Sequence, residues 1–244
     1  MQLPAVQTKF LDLPNSFSLR NGATLDKVCV AYEQYGTLTP EKDNAILLFH
    51  ALSGSQHAYG YNPEVPGTGS LWKPENHEGW WNSIIGPGKP LDTDRFCIIC
   101  ANYLGGCYGT TGPATPCPAD GRPYASRFPH VELADQARLQ ALRLARLGLD
   151  RGHLVGPSVG GLIALSFACQ FPERVRSFIS IGSGYRASIE HRLSLFEQIL
   201  AIELDPDFQG GDYYRGPAPK KGLAFARIIG HKSFVYQAGL EQRS

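Results

Sequence analysis

Short apolar runs without alternation recur along the chain, at residues 28–32, 45–50, 96–101, 153–155 and 175–181. Such runs suit strands covered on both faces, the situation of a parallel sheet. Between the third and fourth runs, Val131, Leu133, Ala134, Ala137, Leu142, Leu144 and Ala145 fall at helical spacing. They predict a helix over 131–147, closed by Gly148, because glycine readily adopts the left-handed turn that ends a helix. A second helix is predicted over 159–170, stopping ahead of Phe171-Pro172, a third over 186–204 and a fourth over 219–229. Strand alternating with helix is the pattern of an α/β fold, a mostly parallel sheet with helices on both faces.

Two stretches break that rhythm. Residues 54–95 and 102–130 are rich in Gly, Pro, Trp, Asn and His and follow neither period. Loops of that length inside a compact domain usually carry function.

The 244 residues are enough for one large core without disulfide or metal staples. Lys plus Arg is 23 against 22 for Asp plus Glu, so the net charge is +1. This balance gives no electrostatic footprint for nucleic acid or an anionic membrane. No apolar run reaches the ~18 residues of a membrane span, and residues 1–10 lack the basic start and apolar stretch of a secretory leader. A soluble, cytoplasmic protein is expected. Its six cysteines, Cys29, Cys97, Cys100, Cys107, Cys117 and Cys169, are expected as free thiols in that compartment. Cys97 and Cys100 form a C-x-x-C, but they sit in a predicted buried strand, where residues three apart face opposite sides. With no second pair at ligand spacing, they read as small core residues, and no metal site is expected.

The sharpest chemical signal is Gly156-Pro157-Ser158-Val159-Gly160-Gly161, between an apolar run and an apolar helix. That context is the one a nucleophile elbow requires: the serine on a strained strand-to-helix turn, the glycines allowing close approach, the helix N-terminus beside a developing oxyanion. A glycine-rich turn with a capping serine, or a phosphate-binding loop, is the alternative. Pro157 in the cradle counts against the phosphate loop. Directly after the run 45–50 comes His50-Ala51-Leu52-Ser53-Gly54. A loop in that place donates the second oxyanion N–H in folds built on such an elbow, which makes Leu52 and Val159 the candidate pair.

These motifs, with Gly79-Trp80-Trp81, Ile85-Gly86-Pro87-Gly88-Lys89, Asp92-Thr93-Asp94-Arg95-Phe96, Leu104-Gly105-Gly106-Cys107, Gly109-Thr110-Thr111-Gly112-Pro113, Gly210-Gly211-Asp212-Tyr213-Tyr214 and Gly222-Leu223-Ala224-Phe225-Ala226-Arg227, run nearly the length of the chain. The sequence resembles the homoserine O-acetyltransferases and their homoserine- and serine-succinylating relatives. The resemblance implies an α/β-hydrolase fold, with a core over 1–184 and the beginning of a helical cap over 185–244. It implies acyl transfer from acetyl-CoA or succinyl-CoA, through an acyl-Ser158 intermediate, to the hydroxyl of L-homoserine or L-serine, in methionine or cysteine biosynthesis. No bound cofactor is implied, and a homodimer is compatible with the family. Arg227 would hold the acceptor's carboxylate, a task suited to a planar guanidinium, alongside the substrate-binding turn Ala51, Leu52, Ser53 and Gly54.

The chain departs from the family at Pro157 and Val159, where glycine and methionine usually flank the serine. It also offers no general base in the family's setting. His191 and His231 are the histidines after Ser158, both in predicted helices, and Asp205, Asp207 and Asp212 read as turn residues. The resemblance places acid and base on strands beyond Ser244, so neither is assigned. Two other readings therefore stay open: a truncated, non-catalytic member of the family, and an esterase-type hydrolase with water as acceptor.

Overall fold

A computed structural model describes residues 3–231. The part of the expected 185–244 segment beyond His231 lies outside them. Six strands form the main sheet: β1 (Lys9–Asp12), β2 (Cys29–Tyr35), β3 (Ala45–Leu48), β4 (Cys97–Ala101), β5 (Gly152–Pro157) and β6 (Val175–Ile181). Their order across the sheet is β1-β2-β4-β3-β5-β6. The strands from β4 to β6 run parallel, while β1 and β2 are antiparallel additions at one edge. All five predicted runs became strands. The short β1 was not foreseen, because Lys9-Phe10-Leu11-Asp12 is too brief and too polar to stand out; its pairing of Leu11 with Val30 creates it.

Helix α1 (Leu133–Arg146) precedes β5, and α2 (Val159–Gln170) links β5 to β6. Glu132 and Asp135 cap α1 reciprocally. Gly148, at φ 67°, ends it as predicted: its N–H reaches the Ala145 carbonyl and the Leu149 N–H that of Leu144, both at 3.0 Å. Helices α3 (Ile189–Glu203) and α4 (Lys220–His231) follow β6 and pack on each other. Gly222 makes that crossing feasible, since a Cβ there would lie 2.6 Å from the Ala201 carbonyl oxygen. None of the described helices is long and apolar enough to cross a membrane.

The strands' period of two sorts their side chains into two cores. Leu47, Cys97, Ile99 and Leu154 meet Leu139, Leu144, Ile163 and Phe167 of α1 and α2. Ile46, Leu48, Ile98, Cys100 and Val155 face the other way, against Ala58, Ile85, Tyr59, Trp80 and Trp81. Cys97 and Cys100 thus lie on opposite faces, as the strand geometry demands. The second layer is the aperiodic stretch 54–95. It has no helical period because it covers the sheet with indoles and turns rather than with a helix. Trp72 Nε1 donates to the Asn62 carbonyl (2.9 Å) and Trp80 Nε1 to that of Ser55 (3.0 Å), which satisfies these rings inside the layer.

One expectation of burial fails. The apolar run predicts that β6 is covered on both faces, yet nearly all of it is exposed, with Ile179 at 50%. It pairs with β5 on one side and with no described strand on the other. Its apolar pattern therefore exceeds what the described residues bury.

Candidate active site

The end of β5 turns into α2 at Ser158, whose φ of 53° and ψ of −126° place a non-glycine residue in left-handed space. Such backbone costs about 1–3 kcal/mol and persists only when its surroundings hold it. Here they do. A Cβ on Gly156 would stand 2.6 Å from the Gly161 nitrogen, and one on Gly161 would stand 2.7 Å from Ser183 Cβ. A Cβ on Gly160 would fall against the carbonyls of Phe49 and His50, 2.7 Å from the latter's oxygen. The Ser158 N–H donates to Ile181 at 2.9 Å, and the Ser183 hydroxyl donates to the Ser158 carbonyl. Pro157 sits where the β3–β5 pairing ends. The Ser158 N–H points to β6, so the missing Pro157 N–H lies on the β3 side, where strand pairing already ends at Leu48 and Val155. Ser158 itself is exposed. The Val159 N–H heads α2, where no carbonyl within the helix can reach it.

The turn after β3 lies beside that helix head. Phe49 N–H donates to the Val155 carbonyl at 2.9 Å, and the Gly54 N–H closes the turn onto Ala51 at 2.9 Å. Leu52 stands at its tip with its side chain 77% exposed; Ser53 is exposed and Ala51 and Gly54 half-buried. Arg227 is exposed on α4. It approaches the loop 102–130 at Tyr108, whose hydroxyl pKa is raised by burial and by neighbouring Cys107 while the Asn76 side chain and the Arg227 charge pull it down. The Tyr108 ring in turn meets Trp72 edge-on at 5.3 Å. The two aperiodic stretches therefore meet at Trp72 and Tyr108.

A family model described as the alpha/beta hydrolase fold matches residues 44–237. The chain belongs to the α/β-hydrolase fold family. It is similar to the homoserine O-acetyltransferase of Deferribacter desulfuricans, with 43% identity over 94% of this chain and 59% of that protein. It is similar also to the homoserine O-succinyltransferase of Laribacter hongkongensis, with 39% identity over 96% of this chain and 60% of that protein. The chain thus spans about three-fifths of the length of these curated relatives. Among solved structures, esterase E22 superposes with a TM-score of 0.83 and 31% identity, covering 98% of this chain and 64% of that one.

In this α/β-hydrolase chain the two histidines downstream of Ser158 take ordinary helical places. His191 is exposed near the start of α3, where its N–H donates to the capping Ser188 hydroxyl at 3.1 Å, and His231 is exposed at the end of α4. Neither ring hydrogen-bonds to a carboxylate among the described residues. Asp205 and Asp212 are turn residues as read: Asp205 accepts from the Asp207 N–H at 3.1 Å and the Gly222 N–H at 2.7 Å, and Asp212 accepts from the Ser126 N–H at 3.0 Å. Among the described residues no His, Cys, Asp and Glu cluster could hold a metal ion.

Three features near the site were not foreseen. Ser183 props the elbow from the turn after β6, a place deducible from Gly182-Ser183-Gly184 following the neighbouring strand. Tyr103 stacks on His50, with ring centroids 3.8 Å apart. Beneath the 54–95 layer, Glu33 of β2 is fully buried and faces four donors: Thr8 (2.7 Å), Asn62 (2.9 Å), His57 Nδ1 (2.8 Å) and the Tyr35 hydroxyl (2.8 Å), whose single proton is shared with the Gln56 carbonyl at the same distance. His57 Nε2 faces the His77 carbonyl at 3.0 Å, so both ring nitrogens meet acceptors. Burial alone would raise the Glu33 carboxyl, but the His57 bond and charge, with Thr8 and Asn62, bring it below the ordinary range.

Proposed function

We propose that this site performs acyl-CoA-dependent O-acylation of an amino-acid hydroxyl, with L-homoserine, or L-serine, as acceptor and acetyl-CoA or succinyl-CoA as donor. Ser158 Oγ attacks the thioester carbonyl, the N–H groups of Leu52 and Val159 take the charge of the tetrahedral oxygen, and the C–S bond breaks, the serine proton ending on coenzyme A, which leaves as the thiol. The acceptor hydroxyl then attacks acyl-Ser158 while Arg227 binds the acceptor's carboxylate, and the bond to Ser158 Oγ breaks as the acceptor's proton returns to that oxygen. The turn Ala51, Leu52, Ser53 and Gly54 borders the bound acyl group, and the segment from residue 185 onward begins a helical cap over the site. The reaction belongs to methionine biosynthesis and is placed in the cytoplasm, in keeping with six cysteines that are all unpaired. The observation that carries the reading is the strained Ser158 between β5 and α2, in a chain whose relatives bear homoserine acyltransferase names.

Intact mass after mixing with acetyl-CoA or succinyl-CoA tests it. One acyl group should add to the protein, and Ser158→Ala should remove the adduct. An adduct surviving that substitution rejects the assignment.

The likeness to esterase E22 favours a second reading, in which water takes the acyl group. Both readings share the acyl-enzyme, so the acceptor separates them. Homoserine-dependent coenzyme A release, with O-acylhomoserine formed, supports transfer; release of the same rate without homoserine supports hydrolysis.

A further inference from the structure

The turn that carries Leu52 is held from behind by a chain of contacts that the acyl-transfer reading does not use. The Tyr103 hydroxyl donates to the His50 carbonyl at 2.6 Å, and its ring stacks on the His50 imidazole at 22°. Burial raises the Tyr103 pKa well above its ordinary value, so this hydroxyl remains a donor. His50 is itself buried, and its Nδ1 lies 2.7 Å from the Ala51 carbonyl oxygen. A carbonyl can only accept, so Nδ1 carries the proton. Burial first, with the Ala51 and Asn102 contacts opposing, lowers the imidazole pKa to about 4, which keeps the ring neutral. The Ala51 oxygen therefore accepts twice, from His50 Nδ1 and from the Gly54 N–H.

A Cβ built on Gly160, in the first turn of α2, would come 2.7 Å from the same His50 carbonyl oxygen, so this carbonyl lies close to the helix whose head presents the Val159 N–H. Tyr103 is anchored in turn: the Gln136 side-chain amide of α1 both donates to the Leu104 carbonyl (2.8 Å) and accepts from the Leu104 N–H (3.0 Å). A continuous path thus runs from Gln136 through Leu104, Tyr103 and His50 to the tip residue Leu52.

We propose that Tyr103 is a positioning residue of the oxyanion hole, setting the Leu52 N–H against the Val159 N–H by gripping the His50 carbonyl and ring. This rests on the reading of Ser158 as acyl acceptor, and the test separates the two.

The substitution is Tyr103→Phe, which keeps the stacked ring and removes only the hydroxyl. The first readout is the amide spectrum and hydrogen exchange of the turn, which need no catalysis. The Leu52 and Gly54 amides should shift and exchange about tenfold faster, while the melting temperature falls by only a few degrees and the amides of β4 and α1 stay as in the wild type. The second readout is the single-turnover rate of Ser158 acylation across acyl-CoA concentrations. Removing an oxyanion donor outright costs about 10²–10³ in rate. Displacing one should lower the maximal rate about tenfold at unchanged half-saturating donor. His50→Asn, which loses the ring but not the Tyr103 bond, should shift the same amides.

Unchanged Leu52 and Gly54 amides in Tyr103→Phe overturn the proposal, as does acylation at the wild-type rate. A wild type whose Ser158 takes no acyl group defeats the acyl-acceptor reading instead, and the amide readout then still decides whether Tyr103 holds the turn.

Discussion

His57→Ala should be the most damaging single truncation beneath the 54–95 layer. The substitution removes one member of an ion pair whose other member, Glu33, has no access to water. Attraction between buried charges offsets their desolvation only while both are present, so deleting one partner leaves the full burial cost of the other. The expected loss is about 3–5 kcal/mol. At about 2–4 °C per kcal/mol for a chain of this size, the midpoint should fall by roughly 6–20 °C. Glu33→Gln should cost less than half as much. Its amide can accept on one side and donate to a His57 Nδ1 that has given up its proton, while Nε2–H keeps the His77 bond. The Glu33 carboxyl is lowered in the fold, so its contribution is complete above the unfolded value, about 4.3, and is lost as pH falls through the lower folded value. The wild type should therefore lose the Glu33 contribution as pH falls below about 4.5. Urea denaturation at a series of pH values measures both quantities. A His57→Ala cost under about 1 kcal/mol would refute the buried-pair reasoning.

Arg227→Lys should raise the acceptor KM by roughly tenfold or more, because lysine keeps the charge but loses the two-pronged grip on a carboxylate; steady-state kinetics in homoserine should show this with acyl-Ser158 formation unaffected. Gly160→Ala should destabilise by about 1–3 kcal/mol, since the new Cβ meets two backbone carbonyls that cannot swing aside. It should also suppress Ser158 acylation by forcing apart the two turns that carry Leu52 and Val159; denaturation midpoints and acyl-adduct mass report the two effects.

Local pattern by itself determined the order of strands and helices, the stop at Gly148, the opposed faces of Cys97 and Cys100 and the strand–Ser158–helix turn. Each of these depends on neighbours within a few residues, where burial leaves a period of two or 3.6 and tight turns demand glycine. Tertiary structure decided what residues far apart do together. Glu33 draws its partners from Thr8, His57 and Asn62, 24 to 29 positions away except for its strand neighbour Tyr35. Tyr103 finds His50 from 53 positions along the chain. Neither pairing leaves a local period. β1 exists because β2 offers it an edge, and 54–95 hides its role because indoles and turns cover a sheet without repeating. The turn at Ser158 could be read because backbone strain there requires a local glycine frame. The brace behind Leu52 could not, because side chains meeting across a sheet are selected by the folded shape alone.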